Sequence, residues 1–253
     1  MGLVESSEPL PRVRVLTLNR PEKRNALNWA LMHELVDRLR ELHYDDSIDV
    51  VVITGAGAAF CAGADMQEQF SGRRVEGVLD IGRADTWSLL ETLPQVAIAA
   101  VNGAAVTGGF LLAYSTDLIV ADEGAVFQDT HAKWGFLPTG GEAARLLTRL
   151  GPHRTRQLML RSRPLTAAEA HAWGLVAELA PPGEALDCAL KIAAELLEQD
   201  RASLRAIKRM VNGGLRQAMG PVLMHEELEN RVGTRNWHRS DESTRRVDDF
   251  LGA

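Results

Sequence analysis

The chain has 253 residues, 45% hydrophobic and 25% charged, the profile of an ordinary globular protein that can bury a sizeable core as one large domain or one domain with a modest appendage. A formal net charge of −6 and a pI near 5.7 speak against a nucleic-acid binder, which needs a basic surface for phosphates; two cysteines, Cys61 and Cys188, make no disulfide framework and fit a reducing compartment. The apolar runs, such as Val96 to Val101, are far too short to span a bilayer and no basic segment with an apolar stretch behind it opens the chain, so a cytoplasmic protein with no membrane partner is expected.

Val13 to Leu18 reads as a strand, and Pro21 with the polar run through Asn25 leads into a helical pattern from Ala26 to His43 with Leu27, Leu31, Leu35 and Leu39 on its apolar face. Asp49 to Thr54 is a second strand that runs into Ala59-Phe60-Cys61-Ala62-Gly63-Ala64-Asp65-Met66. A mixed stretch from Gln67 to Arg83 precedes a helix through Leu93. The strand Val96 to Val101 follows, then Asn102-Gly103-Ala104-Ala105-Val106-Thr107-Gly108-Gly109 and a helix over Phe110 to Ser115. Strands Leu118 to Ala121 and Val126 to Phe127 flank an Asp122-Glu123-Gly124 turn. From Gly140 onward the chain reads as mainly helical, with Thr166-Ala167-Ala168-Glu169 as a capping box. A Pro181-Pro182-Gly183 break then opens a last section of amphipathic helices that carries no strand signal. Short buried strands alternating with helices predict an α/β fold with parallel strands, whose ligand loops belong at the strands' carboxyl ends.

Both small-residue segments sit at such ends. Where glycine and alanine cluster there, peptide N–H groups are open to a ligand, and two such loops can converge on one oxygen atom as an oxyanion hole. Tight strand-to-helix turns are the plainer explanation, and each segment alone leaves both open. Cys61 has no histidine or lysine neighbour in sequence to lower its pKa, and reads as a small packing residue more readily than as a nucleophile.

Taken together, Leu18-Asn19-Arg20-Pro21 with Asn25-Ala26-Leu27, Ala62-Gly63-Ala64-Asp65, Ala99-Ala100-Val101-Asn102-Gly103 with Gly108-Gly109, Asp117, and Leu165-Thr166-Ala167 with Gly174-Leu175-Val176 resemble the crotonase, or enoyl-CoA hydratase/isomerase, superfamily nearly end to end. The resemblance implies a crotonase-like ββα spiral core over residues 1–182 and a helical C-terminal trimerisation region over 183–253, with a homotrimer or dimer of trimers as the assembly. It implies an acyl-CoA or enoyl-CoA thioester as substrate, with coenzyme A a part of that substrate and no separate cofactor. The N–H groups of Ala64 and Gly108 would hold the thioester oxygen as it becomes an enolate. Ala62, Ala64, Asp65, Met66 and Gln67 would lie along the adenine end of the coenzyme, the segment Lys23 to Leu27, with Ala26, along the pantetheine, and Lys23 and Arg24 against the phosphates unless they are simply solvated loop charges. Arg246 and Phe250 are the C-terminal pair expected to reach a neighbouring subunit.

One departure stands out. Hydratases of this family use two glutamates, and the matching positions here are Leu111 and His131. Leu111 cannot transfer a proton. Mitochondrial-type isomerases of the family also carry Leu-Leu after the glycine loop and work with one carboxylate at the second place, where an imidazole with a reference pKa of about 6.5 is a competent base at neutral pH. Asp129 and Glu142 are the nearby carboxylates, able to hold His131 in one tautomer or to act directly, or else a turn residue and a helix-start charge. Thr139 stands where isomerases and dehalogenases of the family place an aspartate. No metal site is indicated, since the seven histidines lack metal-motif spacing. The expected activity is enolate chemistry without the two-glutamate pair; a non-catalytic acyl-CoA binding protein and a CoA-thioester or C–C hydrolase are the alternatives.

Overall fold

The computed structural model describes residues 2–70, 86–236 and 241–252. The larger sheet takes β1 (Val4–Leu10), β2 (Val13–Leu18), β3 (Val50–Gly55), β5 (Val96–Val101), β7 (Leu118–Asp122) and β10 (Glu178–Ala180), in that spatial order. The smaller one takes β4 (Ala59–Cys61), β6 (Ala104–Val106), β8 (Val126–Gln128) and β9 (Leu165–Thr166). All neighbours are parallel except β1 with β2 and β8 with β9. The helices are α1 (Trp29–His43), α2 (Met66–Phe70), α3 (residues 86–92), α4 (Gly108–Tyr114), α5 (His131–Trp134), α6 (Glu142–Arg161), α7 (Ala167–Ala172), α8 (Ala185–Leu197), α9 (Arg201–Asn236) and α10 (Asp241–Gly252).

The strands of the large sheet are apolar on both faces because both faces are covered. Side chains alternate across the pleat, so Leu16, Leu18, Val51, Ile53, Ala99 and Val101 face the core shared with the small sheet, while Val13, Val15, Val50, Val52, Ile98 and Ala100 face the other way. That second face is closed by α8, whose Ala185, Ala189, Ile192 and Ala193 pack on it. Small residues let the helix lie close. Asp122 fixes its start, its two carboxylate oxygens accepting the N–H groups of Gly183 and Ala185.

Three consecutive units, β3-β4-α2, β5-β6-α4 and β7-β8-α5, each give one strand to the large sheet and the next to the small sheet before a short helix. Because β4, β6 and β8 are neighbours and parallel, their carboxyl ends lie side by side. The residues that follow them, 62–66, 107–108 and 129–131, are therefore brought together from distant parts of the chain.

The structure changes several expected boundaries. Helix α1 begins at Trp29 rather than Ala26, because Leu27 pairs in a β-bridge with Ala64 and Asn28 caps the helix by accepting the Leu31 N–H at 2.9 Å. Each small-residue segment contains a three-residue strand before its loop, and β1, β9 and β10 add strands the sequence pattern did not signal. The capping box at Thr166 and Glu169 is present. Most of the mixed stretch from Gln67 to Arg83 lies outside the described residues. Among the described residues no helix is long and apolar enough to cross a membrane.

Candidate functional site

The first loop is held from both sides. Leu27 donates its N–H to Gly63 O at 2.7 Å and accepts from Asp65 at 3.0 Å, while Ala62 donates to Arg24 O at 3.0 Å. Segment 24–27 thus runs as a splint along 62–65. Buried Asn25 accepts the Arg20 N–H and donates to the carbonyls of Ala56 and Ala59. Arg20 donates to Ala26 O at 2.6 Å and pairs with Asp65 at 3.1 Å. Arg20 and Asn25 belong to the motif that carried the resemblance, yet neither was expected to fix the loop; their partners lie up to 45 residues away.

The N–H groups of Leu27, Ala62 and Asp65 are taken up in this splint, while that of Ala64 itself donates to nothing among the described residues. The same holds for Gly108, the first residue of α4, while Thr107 before it donates to Gln128 O at 2.7 Å. The two loops meet closely. A Cβ built on Gly108 would stand 3.9 Å from the Ala64 nitrogen, and one on Gly63 would stand 3.4 Å from the Gly108 nitrogen and 2.6 Å from Val106 O. Gly63 has φ of 86°, so both its conformation and its surroundings demand glycine. Thr107 holds φ at 49°, a conformation that costs a non-glycine residue of order 1–3 kcal/mol. Its hydroxyl is 2.9 Å from that of Thr130, which ties the start of α4 to the residue before His131.

His131 opens α5 with its side chain largely covered. Asp129, 0% exposed, engages it twice: Oδ1 accepts the His131 backbone N–H at 3.0 Å, and Oδ2 lies 3.0 Å from Nδ1. Glu142, 1% exposed, places Oε2 3.4 Å from the same nitrogen. Eleven residues from His131 in sequence, Glu142 occupies the first turn of α6 yet is no solvated helix-start charge. Burial first, then the Asp129 carboxylate and a hydrogen bond to it, push the Glu142 carboxyl well above the usual carboxylate range, with Glu226 adding to the effect and the Tyr114 hydroxyl opposing it. Both carboxylates expected near His131 are in place, and one ligand atom from each of the three lies within 4.8 Å of the others, a donor set able to hold a divalent cation that the histidine spacing did not signal.

Helix α9 secures this corner. Glu226 accepts the N–H groups of Gly141 and Ala143 at 2.7 and 3.1 Å, and Asn230 donates to Pro138 O at 2.9 Å. Leu111 is buried in the main core and its Cδ2 lies 3.6 Å from the Cβ position of Gly140, so no proton-transfer group faces His131 from that place. Thr139 is exposed.

Of the residues expected along the coenzyme, Lys23 and Arg24 are exposed, Lys23 donating to Gln67 at 3.1 Å. Asp65 is committed to Arg20, and Met66 and Gln67 begin α2. Arg246 and Phe250 sit on α5 of their own chain: Arg246 donates to Lys133 O at 3.1 Å, and the Phe250 ring meets Trp134 edge to face at 5.4 Å. Cys61 is wholly buried, and burial pushes its thiol up to about 12.

A family model for enoyl-CoA hydratase/isomerase matches residues 11–246. A probable peroxisomal enoyl-CoA hydratase 1 of Arabidopsis thaliana is 34% identical over 226 residues, 89% of this chain and 84% of that protein. An enoyl-CoA hydratase of Mycobacterium avium has a crystal structure that superposes with a TM-score of 0.79 at 36% identity, covering 90% of this chain and 96% of that one. A monofunctional enoyl-CoA isomerase from M. smegmatis superposes with a TM-score of 0.74 at 30% identity, covering 87% and 98%. Hydratase and isomerase share this backbone, so the fold leaves the choice of reaction to the side chains. With its crotonase fold, this chain is an enzyme of the enoyl-CoA hydratase/isomerase family.

Proposed function

We propose that the enzyme binds an acyl-CoA or enoyl-CoA thioester with its carbonyl oxygen on the N–H groups of Ala64 and Gly108, and that His131 is the single base that removes and returns a proton on the resulting enolate. The carrying observation is the pair of unpaired N–H groups on touching loops, joined through Thr107 and Thr130 to His131. Such donors act on charge that develops in the transition state, and one is typically worth about 2.7–4 kcal/mol. With Leu111 in the first glutamate's place, proton shuttling within one substrate fits the site better than two-acid hydration. Exposed Lys23 and Arg24 are available to the coenzyme phosphates. Exposed apolar side chains along α9, among them Met210, Val211, Met224 and Leu228, support a homotrimer or dimer of trimers, which light scattering on a sizing column tests.

The enzymatic test is deuterium incorporation at the α-carbon of a saturated acyl-CoA in heavy water, together with a panel of enoyl-CoA thioesters assayed for isomerisation, hydration and hydrolysis. Incorporation by the wild type and its loss in His131→Ala is the expected result. No incorporation by the wild type would mean a binding protein without a working base.

A further inference from the structure

Asp129 and Glu142 are two carboxyl groups sealed from solvent beside one imidazole nitrogen. Two ionised carboxylates cannot share such a place cheaply, and the pair has one economical arrangement. A proton on Glu142 relieves the pair: its Oε2 lies 3.4 Å from Nδ1, its buried Oε1 meets no hydrogen-bond partner among the described residues, and burial with the Asp129 carboxyl holds its own carboxyl well above the usual carboxylate range. Both oxygens of Asp129 already face donors on His131, the backbone N–H and Nδ1.

We propose that Asp129 is the positioning residue of the His131 base and that Glu142 is its hydrogen-bond donor, a carboxyl–carboxylate–imidazole chain that takes the Nδ1–H and leaves Nε2 for the substrate. The proposal rests on His131 being the base. In the proton step, Nε2 forms an N–H bond with the proton from the α-carbon, and the C–H electron pair passes into the enolate whose oxygen the two loops hold. The imidazolium so formed stands against the Asp129 carboxylate until Nε2 gives the proton back. Asp129 and Glu142 keep their own protonation throughout. The charged and titratable groups around the chain are Tyr114 from α4, Arg145 and Arg149 from α6, Glu226 from α9, Lys133 on α5 and Arg246 from α10. Arg145 is itself bound by Glu91 through two hydrogen bonds, and Asp129 is the carboxyl nearer the ring, at 3.0 Å from Nδ1 against 3.4 Å for Glu142.

The test is α-carbon deuterium exchange by the full chain as a function of pH. Asp129→Asn is expected to lower the rate by about 10²–10⁴-fold, since an amide no longer fixes the tautomer, and to move the acid limb of the profile to lower pH, since the imidazolium loses its counter-charge. Glu142→Ala lowers the rate, and Glu142→Gln recovers most of that loss because its amide N–H still donates to Asp129. A purely structural role would alter melting temperature and KM and leave the acid limb where it was. An unmoved acid limb in Asp129→Asn overturns the proposal, as does a Glu142→Gln enzyme no faster than Glu142→Ala, which would make Glu142 a proton carrier. Loss of exchange on chelation, or stabilisation of the wild type but not Asp129→Asn by Zn²⁺ or Mn²⁺, would make the cluster a cation site and overturn it too. Exchange surviving in His131→Ala would instead sink the base assignment itself.

Discussion

Gly108→Ala separates the proposed chemistry from the fold. The new methyl would stand 3.1 Å from Leu27 Cδ1, 3.7 Å from Gly63 Cα and 3.9 Å from the Ala64 nitrogen. The tight neighbour is the far end of a leucine, which yields by a few tenths of an ångström; a displaced rotamer costs about 0.5–1.5 kcal/mol. Against it stands about 0.4–1 kcal/mol from the stiffer unfolded chain. Stability then changes by less than about 1 kcal/mol, a shift of about 2–4 °C at most in a chain of this size. Catalysis should fare differently, because the methyl intrudes beside both N–H groups and losing one donor costs about 10²–10³-fold in kcat. Gly109→Ala is the contrasting control: its methyl would lie 2.2 Å from Cys61 O, where backbone must move, and a loss of about 4 kcal/mol or more is expected. Isomerisation or exchange assays beside thermal melts read both effects. Turnover of Gly108→Ala within about threefold of wild type at an unchanged melting temperature would rule out the N–H pair as the oxyanion site.

Glu142→Gln should stabilise the protein at neutral and alkaline pH. Its folded pKa lies above the unfolded value, so the native state holds that proton more tightly; stability from it is complete below about pH 4.3 and is lost as pH rises toward the folded value. Glutamine has no proton to lose, and each unit between the two values is worth about 1.4 kcal/mol. Melting curves should coincide near pH 4 and separate by pH 8, and a separation of opposite sign would contradict a neutral Glu142. For the thiols, Cys61 donates to Asn25 O in full burial while Cys188 is partly exposed, so iodoacetamide should label Cys188 first and spare activity. Early labelling of Cys61 with loss of turnover would revive a thiol hydrolase.

What the sequence displays depends on how local its causes are. Val50 to Ile53 and Val96 to Val101 are legible as strands because burial on both faces selects an unbroken apolar run. Ala59-Phe60-Cys61 and Ala104-Ala105-Val106 are not, since close packing there favours small residues over β-branched ones. Val4–Leu10 is a polar edge strand with a single wholly buried residue and no alternation to see. Ala64 and Gly108 were legible as places of close backbone approach, and the geometry that joins them is long-range pairing between β4 and β6. Glu142 was legible as a carboxylate able to assist His131 or as a charge at a helix start, and nothing local decided between the two. The upward push on its carboxyl comes from burial, Asp129 and Glu226, and these reach it from different elements.

Leu111 tests whether hydration is absent for want of one residue. A glutamate there would enter a position 3% exposed, against the buried core and the Gly140 corner that Trp87 also fills. Activating water needs a carboxylate that is ionised and a space polar enough to hold that water. A carboxyl in this setting keeps its proton or pushes its way out, at a cost of about 1–3 kcal/mol for the unpaired polar group. Leu111→Glu should therefore melt several degrees lower, about 2–4 °C for each kcal/mol, and gain no hydration of an enoyl-CoA, read as appearance of the 3-hydroxyacyl product. A tenfold gain in hydration with the melting temperature intact would show that the cavity is already built for water. His131 and its two carboxyls would then be an acid waiting for a partner, whereas the packing of Leu111 fits the proposed base that works alone.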